Sequence, residues 1–295
     1  MRDVRAGQLV GYDAVLCLAA LSNDPLGNLN PAATYSVNLD GTLHLARMAK
    51  QAGVTRFLFS SSCSLYGSAG SAAVAEDAPM NPVTPYGETK IMAERELSKL
   101  ADDNFSPTYL RNATAYGAST RLRLDIVVNN LTAVALTTGQ VRLESDGTPW
   151  RPLVHVEDIC EAILLALEAP REAVHNQVFN VGSDEQNYRI REIAEIVAEA
   201  FPGCVVTYGP PSADNRSYRV SFGKIRRHLP GFRCRWTADR GARQLREIFE
   251  SIAMSKEVFN YRAFTRLQQL KYLVATRQID EQFFFREPAG RAAEA

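Results

Sequence analysis

The chain has 295 residues, and its 33 lysines and arginines are matched by 33 aspartates and glutamates. That length can bury a large core in one two-part domain or two small ones, while the balanced charge creates no global field to recruit nucleic acid or anionic lipid. Cys17, Cys63, Cys160, Cys204 and Cys234 show no paired short spacing, which argues against a zinc cluster and against a disulfide framework.

No apolar run is long enough to span a bilayer, and no signal-type stretch follows Met1. The expectation is a cytoplasmic protein with no metal, no nucleic-acid partner and no membrane partner. Along the chain, Asp13–Ala20 is a short apolar run ending in small residues, the pattern of a strand buried on both faces of a parallel sheet. A polar loop, 21–31, precedes helical spacing from Ala32 to a stop at Gly53. Arg56–Ser60 reads as the next buried strand.

A proline-rich segment leads into a helix from about Tyr86 to Leu100, with Thr84 placed to cap it and Pro85 at its first position. Pro107–Arg111 resumes the strand pattern. Beyond Gly117 come a helix near Ile126–Thr138, a strand near Val141–Leu143, a helix near Glu157–Glu168, a strand at Val178–Gly182 and an amphipathic helix at Ile190–Ala200. Gly203–Ser217 reads as loop, and Asp239–Phe285 as largely helical with Phe283–Phe285 packed on the fold. The cysteines at 160, 204 and 234 read as small apolar fillers.

The alternation of strand and helix predicts an α/β fold: a doubly wound, Rossmann-type parallel sheet, whose ligands lie beyond the carboxyl ends of the strands. Residues 1–117 read as a partial dinucleotide-binding domain. Residues 118–288 read as a smaller, mainly substrate-binding region, with 175–200 returning to the sheet, and 289–295 as a frayed tail. Chemistry is therefore sought just after Ala20, Ser60 and Arg111.

Tyr86 and Lys90 stand four residues apart, on one face of a helix. A nearby cation favours phenolate, so Lys90 is expected to lower the pKa of Tyr86 towards that of a general base. The hydroxyl run Ser60–Ser62 ends the preceding strand, where a hydroxyl can bond the oxygen that Tyr86 deprotonates. His155, Glu157 and Asp158 read as structural, the two acids suiting a helix N-terminus.

This ordered set resembles the extended short-chain dehydrogenase/reductase family, which includes nucleotide-sugar epimerases, dehydratases and reductases, over about Asp3 to Trp236. The resemblance implies catalytic roles for Ser62, Tyr86 and Lys90, cofactor contacts at Ala19, Ala20, Asn38, Tyr86 and Lys90, and substrate contacts at Ser62, Asn130, Arg151 and Arg216. Arginine suits a diphosphate because its planar fork meets phosphate oxygens bidentately. The implied cofactor is NAD, with NADP left open; the implied partners are a nucleotide-sugar and a second copy, through helices 32–51 and 86–100.

Cys63 and Ser64 stand where dehydratases of the family carry an acidic pair, so an NAD-dependent epimerase or reductase is expected over a dehydratase. Met1–Arg5 resembles the stretch after the family's third strand, and no Gly-rich turn precedes Val15. The sheet is therefore expected to be N-terminally truncated, with a raw edge at Val15 and weak NAD binding. The alternative is a non-catalytic member that binds a nucleotide-sugar or a protein partner.

Overall fold

A computed structural model describes residues 1–211 and 216–286, apart from the side chain of Ser71. The first part of the chain forms β1 (Ala14–Cys17), α1 (Asp24–Gly27), α2 (Pro31–Tyr35), α3 (Gly41–Gln51), β2 (Arg56–Ser62), β3 (Ser68–Val74), α4 (Pro85–Ser98), β4 (Ser106–Asn112) and β5 (Thr114–Tyr116). Then follow α5 (Val127–Thr138), β6 (Gln140–Arg142), β7 (Trp150–His155), α6 (Val156–Glu168), α7 (Arg171–Val174), β8 (Gln177–Val181), β9 (Asn187–Arg189), α8 (Ile190–Glu199), β10 (Val205–Thr207) and β11 (Ser217–Val220). Helices α9 (Gly223–His228), α10 (Ala238–Ser251), α11 (Lys256–Phe259) and α12 (Arg266–Ala275) complete the order.

The main sheet has the order β1-β2-β4-β8 and is parallel throughout. Because strand side chains alternate between faces, β2 serves two cores at once. Phe57 and Phe59 pack with Tyr109 against Leu43 and Ala46 of α3 and Ala93 and Leu97 of α4. Leu58 packs with Leu110 and Phe179 against Ala162 and Ala166 of α6 and Ile225 of α9. Helices on both faces are what a doubly wound sheet requires. A third core joins Val128 and Leu131 of α5, Ile193 and Val197 of α8, and Leu245 and Phe249 of α10.

Several expectations are corrected. The helix expected from Ala32 to Gly53 starts at Pro31 and is interrupted by a π turn at Ser36–Asp40, where Asn38 turns inward to a distant loop. The loop expected at Gly203–Ser217 contains β10, which pairs in parallel with β6, and residues 212–215 of it lie outside the described residues. Strand β3, a stretch of small residues without a strand's apolar alternation, pairs in parallel with the distant β11. Among the described residues after α12, 276–286, the chain is not helical; Ile279 bridges Phe285, which is 79% exposed.

Strand β1 is an edge of the sheet, and Leu16 is 41% exposed where burial on both faces was expected. Cys160 is exposed rather than a filler. The tail expected at 289–295 lies outside the described residues. Strand β8, from the segment expected to return to the sheet, pairs with β4, Leu110 lying opposite Phe179.

One glycine holds the turn that follows Ser62. Gly67 has φ of +60°, and a Cβ there would lie 1.7 Å from the carbonyl oxygen of Asn81. Gly139, which caps α5 at φ +68°, has nothing within 4 Å of the same position. Gly67→Ala is expected to cost about 3 kcal/mol and Gly139→Ala about 1 kcal/mol. Urea unfolding midpoints measure both, and equal losses would contradict the close approach at Gly67.

Candidate active site

The carboxyl ends of β1, β2 and β4 meet in one place. Parallel register sets Ser62 beside Asn112 and Ser60 beside Leu110. After Ser62 the chain turns through a 3-10 segment, Cys63–Tyr66, whose start is capped because the Ser62 hydroxyl accepts from the Ser64 amide at 3.2 Å. The Ser64 hydroxyl donates to the same oxygen at 2.9 Å.

Helix α4 begins as its sequence dictates, with Pro85 in the first turn and Thr84 accepting from the Gly87 amide at 3.3 Å. This start sets Tyr86 against the serine turn, where the Ser62 hydroxyl draws its phenol pKa down. One turn on, the buried Lys90 ammonium donates to the Ser60 carbonyl at 2.5 Å and lies 4.5 Å from the Phe59 ring centre and 5.8 Å from that of Tyr86.

Burial drives the charge states. It pushes the Tyr86 phenol up, opposed by the Ser62 hydroxyl; Asp24 and Cys63 push it further up, and Arg123 draws it down. Burial also lowers Lys90 to about 8, against the pull of Cys17 and Glu94. The Lys90 ammonium is directed at the Ser60 carbonyl, and Arg123 draws the phenol pKa down.

Behind these groups lies a buried polar network. Arg111 donates from Nε and Nη2 to the Glu94 carboxylate, at 3.1 and 2.7 Å, and from Nη1 to the Tyr66 hydroxyl at 2.9 Å and the Glu76 carbonyl at 3.0 Å. Ser61 donates to the same carboxylate at 2.5 Å. Glu94 is one further turn along the face that carries Tyr86 and Lys90, so the ion pair ties that face to β2 and β4.

The remaining expected residues fall into three places. Ala19 and Ala20 lie just past the end of β1, Ala19 exposed and Ala20 half-buried. The buried Asn38 amide accepts from the Leu21 amide at 2.8 Å and donates to the Leu21 carbonyl at 3.2 Å and to Thr89 at 3.3 Å, which anchors the loop after Ala20 to α4. Asn130 donates to the Leu124 carbonyl at 2.9 Å, within its own loop and helix.

Arg151 and Arg216 come together. Arg151 Nη1 donates to the Arg216 carbonyl at 2.5 Å, and its guanidinium lies 5.6 Å from the centre of the buried Tyr218 ring. Arg216 forms an ion pair with Asp24, whose other oxygen accepts from Thr84 at 2.6 Å. His155 acts structurally, as expected: it stacks on Trp236 at 4.0 Å, and its Nδ1 accepts from the Glu157 amide at the start of α6. Asp158 accepts from the Arg235 and Trp236 amides.

Four further residues at the site were not singled out from sequence. Arg123 and Asp24 both act on the Tyr86 charge, and Tyr218 is influenced by Arg151, Cys63, Asp24 and Arg216 together. Asn112 donates to Ser60 at 3.0 Å, while its Oδ1 is buried without a hydrogen-bond partner among the described residues. Only the position of Asn112, one residue past Arg111 at a strand end, carried a signal in the sequence.

The sequence profile of the NAD dependent epimerase/dehydratase family matches residues 4–182. The chain is 33% identical over 199 residues to a UDP-glucose 4-epimerase of Lactobacillus helveticus, covering 62% of this chain and 60% of that protein. It is 29% identical over 237 residues to a UDP-glucose 4-epimerase of Bacillus subtilis (strain 168), covering 73% and 67% respectively. Among solved structures, UDP-glucose-4-epimerase from Stenotrophomonas maltophila with bound NAD and formylated UDP-arabinopyranose superposes with a TM-score of 0.75 at 25% identity, over 85% of this chain and 81% of that one.

Removing one member of a buried ion pair leaves the other charge uncompensated. Glu94→Gln is therefore expected to lower unfolding free energy by about 3–5 kcal/mol. Glu96→Gln, two residues beyond Glu94 on the same helix, breaks an exposed pair with Lys99 and is expected to leave the melting temperature nearly unchanged. Thermal melts of the two variants make the comparison; equal shifts would contradict the assignment of Glu94 as the anchor.

Proposed function

The chain belongs to the NAD dependent epimerase/dehydratase family, and on that premise we propose that it transfers hydride at a hydroxyl-bearing carbon of a nucleotide-activated hexose, with UDP-hexose 4-epimerisation the favoured reaction. The observation that carries this reading is the meeting of Ser62, at the carboxyl edge of the sheet, with the start of α4, which sets Tyr86 against the serine turn and the Lys90 ammonium on the Ser60 carbonyl one helical turn behind it. Tyr86 takes the proton of the sugar hydroxyl, and Ser62 holds that oxygen while charge develops on it.

The residues at hand fit the nicotinamide and ribose end of NAD. The buried Oδ1 of Asn112, without a partner among the described residues, is an acceptor in want of a donor at the strand ends, Lys90 of α4 is a buried cation that meets the same Ser60 as Asn112, and Ala19 leaves the end of β1 open. Bound NAD supplies the carbon that takes up and returns the hydride. Tyr86 holds the proton while the sugar carbon is a ketone and returns it to that oxygen once the carbon is reduced from its other face. Arg151 and Arg216 hold the nucleotide diphosphate.

Elimination of water needs an acid and a base next to the catalytic hydroxyl. The Cys63 thiol is buried, donates to the Arg111 carbonyl at 3.1 Å and is pushed well up by burial, so it stays protonated. Ser64 is held on Ser62. These two residues favour epimerisation or simple oxidation and reduction over dehydration.

Two measurements test the reading. Tyr86→Phe is expected to lower kcat for the interconversion of UDP-glucose and UDP-galactose, with NAD added, by about 10²–10⁴-fold, while calorimetry shows UDP-glucose binding retained; full activity would overturn the role of Tyr86. Because Lys90 is lowered to about 8, its ammonium is present below that pH and lost above it. Activity is expected to fall as pH rises through about 8, and a rate still climbing at higher pH would remove Lys90 from the mechanism.

A further inference from the structure

The Arg151 guanidinium meets the backbone carbonyl of Arg216, and the anion on Arg216's own guanidinium belongs to the chain itself. Arg216 pairs with Asp24, the side chains being 33% and 17% exposed, so the pair is partly withdrawn from water. Asp24 is not a chance neighbour. Its other oxygen accepts from Thr84, the residue that caps the helix carrying Tyr86. The adjacent Ser22 is held by Arg123, at 3.1 Å to its hydroxyl, and Asn23 donates to Asp125 at 3.3 Å. The loop is thus tied down on both sides, with its carboxylate facing Arg216.

We propose that Asp24 is a built-in competitor for the Arg151–Arg216 subsite, so that a diphosphate binds there by taking the place of the chain's own carboxylate on Arg216. The proposal rests on the nucleotide-sugar reading above. A carboxylate and a phosphate offer the same fork-shaped acceptor to arginine, and the phosphate carries the larger charge. The exchange therefore favours the diphosphate, but apparent affinity is lowered by the fraction of molecules in which Arg216 is already engaged. Ligands without a phosphate compete for nothing at this position.

Calorimetry with UDP and with uridine tests this on the full chain, its Asp24→Asn and Arg216→Met variants, and the double variant. Asparagine keeps the acceptor for the Thr84 hydroxyl while removing the charge. UDP is expected to bind Asp24→Asn about 3- to 10-fold more tightly than the unmodified chain, uridine equally, and the gain is expected to vanish in the Arg216→Met background. UDP binding that is unchanged or weaker in Asp24→Asn, or a gain that persists without Arg216, would overturn the competitor and leave the nucleotide-sugar reading standing. Absence of UDP binding in every variant would overturn both.

Discussion

The ion pair between Glu94 and Arg111 is the constraint on which the rest of the site depends. Both side chains are almost fully buried, at 7% and 4% exposure, and two charges taken that far from water are tolerable only if their remaining lone pairs and protons are met. Here they are met by Ser61, Tyr66 and the Glu76 carbonyl, drawn from β2, the turn after it and the loop before α4. Since such a network is worth having only when complete, it fixes the rotation of α4 against the sheet. Tyr86 and Lys90 on that helix face then have a single place to go.

A fixed helix explains why the site holds groups in costly states. Lys90 is desolvated, and burial pushes the Tyr86 phenol pKa up against the pull of Ser62. Neither would persist on a mobile loop, where both would turn to water. The opposite wall is built differently. Asn38, buried in the π turn, grips both backbone groups of Leu21, and Arg123 and Arg216 hold the next residues from the far side of the site. Charge on this wall is paired nearer the surface, whereas the Glu94–Arg111 pair behind α4 is buried.

The elements that were legible in the sequence share a local cause. Thr84 and Pro85 announce the start of α4 by cap chemistry alone, and Tyr86 and Lys90 share a face because a helix has 3.6 residues per turn. The apolar runs of β2, β4 and β8 mark strands buried on both faces. The elements that were not legible depend on partners far along the chain. Ser68–Val74, rich in small residues, becomes a strand only because Ser217–Val220 lies beside it, and the π turn exists where Asn38 meets a loop seventeen residues upstream.

The same division runs through the site. The sequence by itself determined the helix that presents Tyr86 and Lys90, the strand end that presents Ser62, and the α/β character of the sheet, because each follows from spacing, capping and alternation within a short stretch. Only the tertiary structure decided that Lys90 addresses the Ser60 carbonyl while Arg123 acts on the phenol, that Arg151 and Arg216 meet, and that Asp24 and Asn112 border the same space. Those outcomes are set by burial and by long-range pairing, whose energies depend on which distant groups replace water around each charge.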